Sequence, residues 1–175
     1  MYLQKIILIF LGLFTLLGCS SLKINVDYDP DFLFTQQKSF CIVHHNKEGD
    51  DTLFNERFIK ALGDELNNKD YIQEEKSKAD LIFVFHVNVE SKTDIDRDYM
   101  MVGYDGHMLS NTHTYKYTKG TLIIDALNPK NNKIVRRSIA TDILKSYARP
   151  TERITYIQKL VKEVMKDFPS RGNSQ

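Results

Sequence analysis

An apolar run near the N-terminus decides how much of this chain is available to fold. It extends from Ile6 to Leu17, interrupted only by Gly12 and Thr15, and Lys5 precedes it. A membrane-spanning helix needs about 20 apolar residues, so this run is too short to be one. A basic residue, a short apolar stretch and then small residues form the pattern of a secretory signal. Residues 1–18 are therefore expected to leave, and the fold must be built from the chain beyond them. The sequence has two cysteines, Cys19 and Cys41. With Cys19 used at the cleavage point, Cys41 has no partner within the chain, and no disulfide can hold the domain. Stability must come from a core. Cys19 to Gln175 is long enough to bury roughly 70% of the surface its unfolded chain exposes.

The run ends in Leu16-Leu17-Gly18-Cys19, which resembles the lipobox of bacterial lipoproteins. That resemblance implies a diacylglyceryl group on the Cys19 sulfur and cleavage before Cys19. Gly18 suits a protease subsite that admits only small side chains. The plainer alternatives are an ordinary secretory signal with a coincidental cysteine, or an uncleaved anchor. Ser20 and Ser21 come directly after the cysteine, and the absence of aspartate there implies sorting to the outer membrane. The expectation is a lipid-anchored protein of the bacterial outer membrane with its domain facing the periplasm; inner-membrane retention and surface exposure stay open. Two acyl chains give stable anchoring where one gives marginal binding. Ser20 to Lys23 would span only about 14 Å when extended, which keeps the domain near the bilayer. The expected organisation is a signal peptide (1–18), a tether (19–23), one domain (24–169) and a flexible tail (170–175).

Charge excludes one class of partner. The 24 Lys and Arg fall to 23 once Lys5 leaves, matching the 23 Asp and Glu. A nucleic-acid binder carries a basic excess or stripe, and none is evident.

Hydrophobic periodicity gives the elements. Ile24 to Tyr28 alternates as a strand, and Asp29-Pro30-Asp31 is turn chemistry. Ser39 to His44 is a second strand. Thr52 to Asn68 reads as a helix, with Phe54, Phe58, Ala61, Leu62 and Leu66 on one stripe. Asp50, Asp51 or Thr52 can cap it, and Asn67 and Asn68 can end it. Leu81 to Val89 is the strongest strand, apolar on both faces up to Phe85. Ser91 to Thr114 is the least regular stretch. Tyr115 to Leu127 and Lys133 to Leu144 read as an antiparallel pair joined by Asn128 to Asn132. The last helix carries Ile154, Ile157, Leu160, Val161, Val164, Met165 and Phe168, capped by Thr151 and stopped by Pro169. The expected fold is α+β: an antiparallel or mixed sheet of about five to six strands packed by two amphipathic helices.

Several segments, in order, resemble a bacterial lipoprotein family defined by domain of unknown function 4136. They are Val26-Asp27-Tyr28-Asp29-Pro30 with Asp31-Phe32 and Lys38-Ser39-Phe40, and Tyr71 ahead of Ala79-Asp80-Leu81-Ile82. Then come Gly120-Thr121-Leu122-Ile123-Ile124-Asp125, Lys133-Ile134-Val135-Arg136 and Asp167-Phe168-Pro169. The family often has tryptophan in the second strand and after the Ile-Val type pair. This chain has none; Cys41 and Arg136 or Arg137 lie near those places. The resemblance implies no established reaction, cofactor or catalytic residue.

Candidate chemistry concentrates in residues 94–113. Asp94, Asp96 and Asp98 alternate, with Asp105 at the twelfth position from Asp94, as in a calcium loop. Tyr99 stands where that loop needs glycine, so a solvated acidic loop is the preferred reading. Neighbouring histidines in a strand point to opposite faces, and His44, His45, His86, His107 and His113 form no zinc spacing. No Gly-x-Ser-x-Gly elbow appears. Asp125 is unusual inside an apolar strand and is expected to pair with Arg136 or Arg137 across the hairpin. Cys41, in Phe40-Cys41-Ile42-Val43, reads as a buried structural thiol. Tyr99, Tyr104, His107, His113 and Tyr115 are the candidate recognition surface, because tyrosines beside apolar groups suit a protein or glycan partner; tyrosines half buried against the sheet are the bland reading. The expectation is a non-catalytic binding or assembly domain for another envelope component, without cofactor. The alternatives are an envelope hydrolase, or a ligand or metal carrier, using the acidic segment 94–113.

Overall fold

The computed structural model describes residues 21–44, 49–102, 107–144 and 149–171, with side chains in 97–111 outside the description. The signal segment, Cys19 and residues 172–175 also lie outside the described residues. Among the described residues, six strands form one mixed sheet: β1 (Lys23–Tyr28), β2 (Ser39–Val43), β3 (Ile72–Gln73), β4 (Leu81–Val102), β5 (His107–Asn128) and β6 (Lys133–Ile143). Two α-helices, α1 (Thr52–Asn68) and α2 (Pro150–Val164), pack on it. The sheet order is β1-β6-β5-β4-β2-β3. β2 runs parallel to both β3 and β4, and the other pairings are antiparallel. The fold is α+β, as the periodicity implied.

The helices cover one face of the sheet. Phe40, Leu81, Phe83, Phe85, Leu122, Ile124 and Ala126 point to that face and are buried with Phe58, Leu62 and Leu66 of α1 and Ile157, Leu160, Val161 and Val164 of α2. This is the period-2 and period-3.6 logic of strand and helix meeting in one core. Asp51 is the N-cap of α1, its carboxylate accepting from Phe54 N at 2.9 Å. Lys69 closes the helix, and Asp70 takes positive φ (66°) to turn the chain into β3. Thr151 does not cap α2. Arg149 holds the cap position without a side-chain cap bond, its guanidinium pairing with Glu152 instead, and Pro150 sits in the first turn, where a missing N–H costs nothing. Ile154 is partly exposed rather than core.

The largest departure is at Ser91 to Thr114. The described residues of this stretch are not irregular. β4 and β5 continue as a paired ribbon in unbroken register from Ile82↔Leu127 to Val102↔His107. β6 pairs with β5 only from Lys119 to Asn128, and β2 pairs with β4 only up to Val84. Beyond these limits the ribbon has two strands, and both its edges lack a strand partner among the described residues. From Ser91 to Val102 it reaches roughly 40 Å at 3.4 Å per residue. Side chains 91–96 and 112–116 are exposed on both faces, while Tyr117 and Thr118 at its root are partly buried.

Candidate functional site

The residues singled out from sequence lie along the ribbon. Asp94 faces Tyr115 and Asp96 faces His113 across the strands, so acids and rings share one face. The His113 and Tyr115 rings are 6.3 Å apart at a 30° tilt. Asp98, Tyr99 and His107 occupy register positions opposite Asn111, Ser110 and Val102; their side chains, and all of Tyr104 and Asp105, lie outside the described residues. Extended backbone places Asp94 and Asp96 about 7 Å apart along the strand, whereas a calcium loop curls its ligands around one point. Among the described residues no group of three His, Cys, Asp or Glu could hold a metal. Tyr115 and Ile95 are each 56% exposed, so the ribbon presents apolar surface together with its acids.

A cavity that no sequence pattern announced lies at the root of the ribbon, beside the N-terminal turns of both helices. Its volume is about 630 Å³, within the range of small-molecule sites. Four parts of the chain build it: the entry segment at Leu22, the N-terminal turns of α1 and α2, the β4–β5 ladder where it leaves the helices, and the end of β6. Phe54, Val87, Val89, Leu122, Ala140, Leu144 and Leu160 supply apolar wall. Val87 and Val89 are 40% and 56% exposed, because they lie on the helix side of the sheet but past the helices' reach. Gly120 lets Leu144 close in: a Cβ there would lie 2.8 Å from Leu144 Cδ2.

Polar groups ring this wall. His44 stacks on Phe85 at 4.3 Å, its Nε2 lies 2.8 Å from Asn55 Nδ2 and 3.3 Å from Asp50 Oδ2, and its Nδ1 lies 3.4 Å from Phe85 O. Arg153 of α2 pairs with Asp51, joining the two helix N-termini. Burial pushes the Asp51 carboxyl up, but the Phe54 N–H and Arg153 outweigh it and hold it below the ordinary value. Tyr156 donates to Asp142 Oδ2 at 3.0 Å, and Ser21 donates to the other oxygen of Asp142. None of the described residues in 94–113 lines the cavity, so the acidic ribbon and the enclosed space are separate features.

The model of the DUF4136 family, a domain of unknown function, matches residues 24–170. The chain belongs to the DUF4136 family. A DUF4136 family protein from Bacteroides thetaiotaomicron shares the fold at a TM-score of 0.50 and 13% identity, over 89% of this chain and 100% of that one. The PelC dodecamer from Paraburkholderia phytofirmans is similar at 0.51 and 11% identity, over 87% and 99%. A PDZ domain protein from Parabacteroides distasonis is similar at 0.52 and 11%, over 94% of this chain but 39% of that one. At such identities the likeness concerns the fold alone. The sequence matches no curated protein.

The DUF4136 segments read from sequence stitch the scaffold together. Asp80 Oδ2 accepts from Lys38 N at 2.8 Å and from Ser39 N at 3.2 Å, while Ser39 Oγ accepts from Asp80 N at 3.1 Å. That clamp sets the parallel start of β2 against β4. Tyr71 donates to Phe34 O at 3.1 Å and Pro169 O at 3.3 Å, and its burial pushes the phenol up to about 12. Phe168 packs within 5.4 Å of Phe34, Tyr71 and the Arg136 guanidinium, and 5.7 Å from Phe83. Asp125 sits opposite Arg137, which donates two 2.7 Å bonds to it. Arg136 instead lies on the helix side, buried. Cys41 is only partly buried, not the buried thiol its apolar run implied, because it shares a face with Ile82 away from the helices; the burial it has still raises the thiol.

Proposed function

We propose that this chain is a bacterial envelope lipoprotein, cut before Cys19 and acylated there, whose domain is a non-catalytic binding or assembly module for another envelope component. The lipobox-like Leu16-Leu17-Gly18-Cys19 and the adjoining Ser20 favour the outer membrane, with the domain in the periplasm. No described helix is long and apolar enough to cross a membrane.

The observation that carries the binding role is the two-stranded ribbon of β4 and β5. An isolated hairpin is marginal in water, and this one extends past the sheet with Ile95 and Tyr115 exposed. A ribbon of that length is retained at low cost only if something meets it. Exposed edges also invite pairing with another chain, and the charges at Glu90, Lys92, Asp94 and Asp96 limit that pairing to a matched surface. PelC from Paraburkholderia phytofirmans is a dodecamer; a second copy is therefore among the components to test.

A photocrosslinking residue placed at Ile95 or Tyr115 in living cells tests the reading. One discrete protein or glycan adduct is expected from both positions, and none from Lys60 on the outer face of α1. Equal background at all three positions would overturn it.

A further inference from the structure

We propose that the cavity beside the helix N-termini holds an acyl chain carried by the protein's own Cys19; this rests on the lipoprotein reading. The path of the chain fixes where the anchor must leave the domain. Ser21 donates to Asp142, and Leu22 packs against the core and forms part of the cavity wall. Cys19 is three residues before Leu22, a reach of about 10 Å at most. A lipid on Cys19 is thus delivered at the cavity mouth.

The wall chemistry fits an alkyl chain. Val87, Val89, Leu122, Leu144 and Leu160 offer apolar surface, and the volume of about 630 Å³ suits one elongated ligand. An acyl chain is as dry in a bilayer as in a protein, so the chain itself gains little by moving. The wall gains, because Val87 and Val89 stand 40% and 56% exposed without an occupant and their apolar area leaves water when the space is filled. The remaining chains on Cys19 would stay in the bilayer and keep the protein anchored. The domain would then be docked by this end, from whose β4–β5 ladder the ribbon continues past Val89 and Gly120.

The test is metabolic labelling with a diazirine-bearing palmitate analogue, irradiation of intact membranes, and peptide mapping of the full-length protein. The expected product joins the Cys19 lipid to peptides containing Val87, Val89 or Leu144. The exposed-site substitutions Val89→Trp and Val87→Trp should fill the space and abolish that product while lipid incorporation and circular dichroism stay unchanged. Label on Cys19 that crosslinks only to bilayer lipid overturns the inference and leaves the lipoprotein reading standing. Label absent from Cys19 overturns both. Wall peptides labelled equally in Cys19→Ala would mean a free lipid fills the space, which overturns the assignment to the protein's own chain.

Discussion

Asp125 and Arg137 show how one charged pair is tolerated inside an apolar strand. The Asp125 side chain is 9% exposed and that of Arg137 47% exposed, so the carboxylate is shielded while the guanidinium still meets water. Removing Arg137 leaves the carboxylate buried without its two donors. Arg137→Ala should cost about 2 kcal/mol, less than breaking a fully buried pair because one partner is solvated; urea unfolding checks it. Tyr71 is a second such position. Its hydroxyl ties Phe34 to Pro169 across the end of the core, and Tyr71→Phe should cost about 1 kcal/mol. Its phenol is raised to about 12 in the folded protein, against about 10 when unfolded. The neutral form is therefore favoured by folding, and stability should be intact below about pH 10 and decline between there and about pH 12. In Tyr71→Phe that part of the alkaline decline should vanish, as thermal melts across the range would show. Cys41, raised by burial, should react with a maleimide more slowly in the native protein than in urea at the same pH.

At the scale of elements, the N-terminus of α1 is held by Asp51 twice, through Phe54 N and through Arg153. Asp51→Ala should lower stability by about 1 kcal/mol through the lost cap. Because the folded carboxyl is held below its ordinary value, its contribution is present above about pH 4 and lost as pH falls through the folded value; Asp51→Asn should flatten that acid limb. The two helices were legible because burial on one side writes a period into the sequence, and the Leu81–Phe85 start of β4 because burial on both faces makes a continuous apolar run. The ribbon was not, because both faces of residues 91–96 and 112–116 meet solvent, and alternation is a record of one-sided burial. The same segment's acids and tyrosines drew attention as chemistry when their backbone role is a plain ladder. The parallel pairing of β2 with β4 was equally hidden, since it depends on the Asp80–Ser39 clamp between distant residues. The ribbon tip also gives a prediction. Joining Ser91 to Thr118 by a two-residue Asn-Gly turn should shift the thermal midpoint by less than about 4 °C, the equivalent of roughly 1 kcal/mol, while abolishing the adduct expected from Ile95.

Over the whole molecule, the sheet has a fastened end and, opposite it, an end that carries both the cavity and the root of the ribbon. The family segments around Phe168, Tyr71 and Asp80 fasten the ends of β2, β4 and α2 into a rigid base. The cavity opens at the opposite, N-terminal turns of both helices, beside the point where the chain enters at Ser21 and Leu22. Its absence from the sequence reading has a simple cause. Leu22, Phe54, Val89, Leu144 and Leu160 come from separate elements, and no spacing along the chain relates them. The proposed lipid anchor, by contrast, rests on one short segment, Leu16 to Cys19. The account depends most on that segment, and intact-mass measurement of the protein purified from bacterial membranes tests it directly. The expected species begins at Cys19 and carries a diacylglyceryl group with an amide-linked chain. A species that retains Met1, or that begins at an unmodified Cys19, would contradict it.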